Sequence, residues 1–111
     1  EAGFFARAAT RARGMLFPQP RLREGARMDD RFGRGWRLVV DGSIAAPAEA
    51  GLTVIDLGAT PEAEGVVDGW MKRHEAHAAL LRPDHYVFGT ARSAEELAAL
   101  VAEWHAALPP R

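Results

Sequence analysis

Apolar and polar positions along this chain follow two periods. Trp36-Arg37-Leu38-Val39-Val40, Leu52-Thr53-Val54-Ile55-Asp56-Leu57, His77 to Leu81 and Tyr86 to Thr90 are short apolar or β-branched runs set off by turn residues. They predict strands. Val66, Val67, Trp70 and Met71 recur at i, i+1, i+4 and i+5, and Leu97, Leu100, Val101, Trp104 and Leu108 share one helical face. These predict two amphipathic helices. Phe4, Phe5, Ala8, Ala9 and Ala12 allow a further short helix over residues 4–13, stopped by Gly14.

Punctuation sharpens the boundaries. Phe17-Pro18-Gln19-Pro20 is held extended by its prolines. Asp29-Asp30-Arg31-Phe32-Gly33 reads as one helical turn, with Asp accepting amides at its start and glycine at its exit. Asp41-Gly42 ends the first strand. Residues 43–51, broken by Pro47 and Gly51, leave room for at most a short crossover helix. Thr60-Pro61-Glu62 predicts the start of the first long helix, with Thr as cap and Pro at its first position. Ser93-Ala94-Glu95-Glu96 predicts a capping box in which Ser93 and Glu96 satisfy each other's amides. Arg82 to His85 forms the turn of a hairpin.

The resulting order is strand, crossover, strand, helix, strand, hairpin, strand, helix. The expected fold class is α/β: a β-α-β unit plus a β-β-α unit making a four-stranded mixed sheet flanked by helices. That layout is thioredoxin-like. A thiol oxidoreductase of this fold needs Cys-x-x-Cys after the first strand, where Asp41-Gly42-Ser43-Ile44 stands instead. The chain has no cysteine, so thiol chemistry is excluded.

With 111 residues, 48% hydrophobic and 26% charged, the chain is expected to be one soluble domain. No run approaches the length of a membrane span. The net charge of −1 speaks against bulk attraction to nucleic acid or to an anionic membrane. That charge is uneven. Residues 1–37 hold nine arginines against Glu1, Glu24, Asp29 and Asp30, a net of +5, which leaves −6 for the rest. The arginines are interleaved with Gly and Pro, as in a solvated strip or one resting on an acidic neighbour.

No set of residues reads as catalytic. His74, His77, His85 and His105 have no shared metal-binding helix face. Asp29-Asp30 and Glu95-Glu96 have capping roles. Ser43 and Ser93 lack a nucleophile elbow. Gly33 and Gly35 precede a strand rather than a helix, the wrong setting for a dinucleotide. No catalytic, cofactor-binding or metal site is expected in this chain.

Three segments in order carry a resemblance: Gly14-Met15-Leu16-Phe17-Pro18-Gln19-Pro20-Arg21-Leu22, then Met28-Asp29-Asp30-Arg31-Phe32-Gly33-Arg34-Gly35-Trp36-Arg37-Leu38, then Leu81-Arg82-Pro83-Asp84-His85-Tyr86-Val87. Together they resemble the C-terminal region of FAD-dependent aromatic hydroxylases of the 3-(3-hydroxyphenyl)propionate hydroxylase, pentachlorophenol monooxygenase and polyketide oxygenase types. The resemblance implies a bacterial, cytoplasmic flavoprotein monooxygenase as parent, with FAD and NAD(P)H used by upstream domains. It implies a tail or linker over residues 1–27 and a cysteine-free thioredoxin-like C-terminal domain over residues 28–111. The domain would be a non-catalytic accessory that packs on the flavin domain or contributes to a homodimer. Candidate interface residues are Arg21, Arg23, Arg31, Phe32, Arg82 and Asp84, with Arg82 and Asp84 able to pair with each other or with a neighbour. The alternative is a stand-alone, redox-inactive thioredoxin-like protein that binds a partner.

Overall fold

The computed structural model describes residues 12–108. The helix expected over residues 4–13 falls almost wholly outside them. Strands β1 (Arg37–Val40), β2 (Thr53–Asp56), β3 (Ala78–Leu81) and β4 (Val87–Ala91) form one mixed sheet in the order β2-β1-β3-β4. β1 and β2 are parallel; β3 is antiparallel to both β1 and β4. The α/β class and the four-stranded mixed sheet are as the sequence pattern predicts.

The central strands β1 and β3 are covered on two faces, whereas the edge strand β2 buries only Ile55. On one face of the sheet, α2 (Val66–Arg73), α1 (Met28–Phe32) and the extended segment ahead of it enclose Val39, Ile55, Ala79, Leu81 and Val87 with Phe17, Met28, Val67, Trp70 and Met71. On the other, α3 (Ala94–Ala107) covers Leu38, Val40, Ala78, Leu80 and Ala91 with Leu97, Leu100, Val101 and Trp104. Burial on both faces explains why β1 and β3 are buried throughout rather than alternating. The segment 12–22 folds back on the sheet: Gly14 donates to Val87, Val87 to Met15, and Phe17 to His85. Phe17 and Leu22 are each 1% exposed.

Four local expectations need correction. The crossover 41–52 holds no helix, so the first unit is strand–loop–strand; Gly42, Pro47 and Gly51 deny it a continuous turn. Its Ile44 and Ala46 still pack on the α3 side. Helix α2 starts at Val66, not at Thr60-Pro61-Glu62, because Gly65 turns left-handed (φ 74°) immediately before it. Glu62 nevertheless caps that helix from outside, its two carboxylate oxygens accepting the amides of Val67 and Asp68 at 2.9 Å. The capping box at α3 is half formed: Ser93 Oγ accepts from the Glu96 amide, but Glu96 reaches the amide and guanidinium of Arg92 rather than Ser93. Lastly, Asp29 caps nothing. Its amide donates to Gln19 Oε1, and its carboxylate serves a different residue altogether.

Candidate functional site

Two places concentrate polar structure. The first surrounds Arg37. Its position in β1 faces the α2 side beside Val39, and it is fully buried. A buried guanidinium is tolerated only when its donors are met. Arg37 Nη1 donates to Asp29 Oδ1 at 2.6 Å, Nε to the Gly35 carbonyl at 2.9 Å, and Nη2 to the Arg82 carbonyl at 2.9 Å. Nη1 also lies 3.0 Å from His85 Nδ1. Arginine can only donate, so His85 Nδ1 accepts and its proton sits on Nε2, which donates to the Pro18 carbonyl at 3.2 Å. Burial pulls the Arg37 guanidinium below its ordinary value, and Asp29 opposes that pull.

This cluster fixes the hairpin turn. His85 adopts φ 73°, a left-handed conformation uncommon outside glycine, which Asn, Asp and His enter more readily than other residues. Its two ring contacts and the edge of Phe17, 5.9 Å between centroids, hold it there. One arginine thereby ties α1, β1, the Pro18 segment and the β3–β4 turn. It is a structural knot rather than a reactive centre.

The second place lies at the carboxyl ends of the parallel strands β1 and β2, where ligand clefts of α/β sheets commonly open. The chain passes itself closely there: a side chain at Gly42 or Gly58 would meet the other's Cα at 3.0 Å. A cavity of about 340 Å³ is lined by Arg23, Asp41, Glu62, Glu64 and Asp68 among others. A second, of about 390 Å³, shares Asp41 and Asp68 and adds Lys72, His77 and Arg92. Between them Asp41 Oδ2 is 2.7 Å from His77 Nδ1, while Oδ1 accepts the Ser43 amide and hydroxyl.

Burial pushes the Asp41 carboxyl up, but the Ser43 hydrogen bonds and the hydrogen bond and charge of His77 together bring it below its ordinary 3.8. A depressed folded-state value stabilises the fold above the unfolded value and loses that contribution as pH falls through the folded one. The stability gap between the native protein and Asp41→Asn is therefore expected to hold steady above about pH 5 and to narrow below pH 3.8. Urea melts at several pH values measure it; a gap independent of pH down to acid unfolding would refute the assignment.

Chemically the trio does little. The Ser43 hydroxyl is bonded to the carboxylate rather than to the imidazole, so no base is placed to activate it. The other histidines are dispersed: His74 lies against Trp70, His105 pairs with Glu49, and His85 belongs to the Arg37 knot. At the helix starts, Glu62 accepts the Val67 and Asp68 amides of α2, and Ser93 the Glu96 amide of α3.

The six candidate interface residues fall into two groups. Arg21 donates to the Gly25 carbonyl, the Arg23 backbone bonds Pro61, and Arg31 pairs with Glu24 at 3.2 Å while lying over the Phe32 ring. Arg82 and Asp84 pair with each other across the hairpin turn at 2.8 Å, both about half exposed. No hydrogen bond or ion pair joins the two groups directly; Arg37 bridges them through Asp29 and the Arg82 carbonyl. Arg37, His85 and Asp41 were missed by the sequence reading. One signal was present: alternation in Trp36 to Val40 puts Arg37 on the same face as Val39, where a cation needs a partner.

An α/β domain built on a four-stranded mixed sheet is the class defined so far. The comparisons specify it further. The chain belongs to the HcaD C-terminal domain family, whose model matches residues 49–107. It is also 37% identical, over 118 aligned positions, to a Rhodococcus jostii (strain RHA1) protein named "Probable NADH-specific resorcinol 4-hydroxylase". That match covers 87% of this chain and 22% of the relative, so the chain spans about a fifth of its length. No solved structure matches. The chain is a hydroxylase-related C-terminal domain, as its three segments suggest.

Proposed function

We propose that this chain is the non-catalytic accessory domain of an FAD-dependent, NAD(P)H-using aromatic-ring monooxygenase, and that its fold is thioredoxin-like. The observation that carries the proposal is the match of nearly the whole chain to a small part of a hydroxylase. The β2-β1-β3-β4 order, with only β1 and β2 parallel, supports the fold reading. The Arg37 cluster supports the accessory role, since its guanidinium is fully buried and bonded to Asp29, Gly35 and Arg82. FAD and the nicotinamide donor would be held by the parent's other domains, on the N-terminal side of the described residues. A phenolic ring as the parent's substrate and a cytoplasmic setting belong to the same proposal. Among the described residues no helix is long and apolar enough to cross a membrane.

The test is a spectrum. The full open reading frame, expressed and purified, is expected to be yellow, with the visible absorption of bound flavin. The isolated domain is expected to take up no FAD and to oxidise no NAD(P)H. A colourless full-length protein that takes up no FAD would remove the hydroxylase parent; turnover by the isolated domain would remove the accessory role.

A further inference from the structure

The core under α3 does not end where the helix ends. Trp36, at the foot of β1, meets Trp104 near the end of α3 at 6.0 Å and Phe88 of β4 at 5.7 Å, both edge-on. Tyr86, two positions before Phe88, points to the same face, and Leu16 is its partner across an antiparallel bridge. Phe17, the next residue, points to the opposite face and is buried there. Trp36, Phe88, Tyr86 and Leu16 thus form a row running from beneath α3 to open surface. Tyr86 is 42% and Leu16 60% exposed, two of the four large apolar side chains exposed among the described residues. One flank is closed by Arg13, which lies over the Phe88 ring at 4.7 Å and pairs with Glu103 at 2.8 Å.

We propose that Leu16 and Tyr86 are the seat on which the preceding part of the same polypeptide docks, as a continuation of the core under α3. This deepens the accessory-domain reading and rests on it. Two observations choose the occupant. In a C-terminal domain the rest of the parent arrives from the N-terminal side, and residues 14 and 15 are fastened to Val87 by two backbone hydrogen bonds. Whatever precedes Ala12 is therefore tethered beside the row. The second is size. Two partly exposed side chains fall far short of the ~800 Å² per partner that holds a free protein complex together. A tether supplies an effective concentration in the millimolar range, at which a small apolar seat suffices. A second copy of the chain lacks that advantage.

The absence of cysteine from this chain makes a clean reporter. Leu16→Cys, Tyr86→Cys and, as an exposed control on α3, Ala102→Cys are placed one at a time in the full-length protein. Maleimide labelling is then followed by peptide-resolved mass spectrometry. The two seat positions are expected to label about ten-fold or more slowly than the control, the ratio for a seat occupied some nine-tenths of the time. The rate should not depend on protein concentration. Equal rates at all three positions overturn the proposal. Protection that vanishes on dilution overturns it too, in favour of a second copy. The visible spectrum of the same preparations reports separately on the hydroxylase reading, so a flavin-loaded protein with an unprotected seat refutes the seat alone.

Discussion

Replacing Arg37 by Met is expected to destabilise the domain by roughly 3–5 kcal/mol, the cost of removing one member of a buried ion pair. Arg37 is fully buried and Asp29 is 11% exposed at its side chain, so the loss leaves a carboxylate that water barely reaches with only the exposed Arg34, at 3.5 Å, as its ion-pair partner. The Arg82 carbonyl and His85 Nδ1 lose their donor in the same step. Asp29→Asn alone should cost less, because an amide oxygen can still accept from the guanidinium. In the double variant the stranded charge is gone, and the total should fall well short of the sum of the two single costs. Urea unfolding of all four proteins closes the cycle. Additive effects, or a cost below about 1 kcal/mol for Arg37→Met, would show that the knot contributes little.

Trp104 should give the second large effect, and its two substitutions should diverge. Trp104 is 1% exposed at the junction of α3 with Trp36. Truncation to Ala empties the centre of that layer and is expected to cost about 3–5 kcal/mol. Its indole Nε1, however, is buried without a hydrogen-bond partner among the described residues. An unmet buried donor carries a penalty of about 1–3 kcal/mol. Trp104→Phe removes that donor along with some volume, so the two changes offset and the net cost should stay near 1 kcal/mol or below. Thermal and urea melts decide it. A Phe variant as unstable as the Ala variant would mean that the indole ring edge, not the ring as a whole, fills the site.

The strands and the two long helices were legible because each is encoded locally, by an apolar run or a repeating face. Their directions were legible because short connections leave few choices. The helix start at Val66 was not, since Thr60-Pro61-Glu62 carries the composition of a start while Gly65 sets the geometry. Glu62 shows why composition misled: the right residue type caps the right helix, from one loop further out. The Arg37 knot was illegible for another reason. Its members come from positions 18, 29, 35, 37, 82 and 85, and no local window contains them. Asp29 looked like a cap because alternation buries the cation eight residues on without showing which acid turns to meet it. The dispersal of the histidines, by contrast, followed from their spacing.

The sheet order has a consequence for where this domain can be cut. The matched family region begins at residue 49 and so includes β2, β3 and β4 but not β1. β1 is the strand to which β2 and β3 both pair, and those two share no edge of their own. The region that the family model matches is therefore not a unit able to fold. Without Arg37 to Val40 it is a lone four-residue strand beside a hairpin. The same holds for the stretch around Phe17, which completes one of the two cores. The family match falls on the second half of the chain, whereas cooperativity depends on the first.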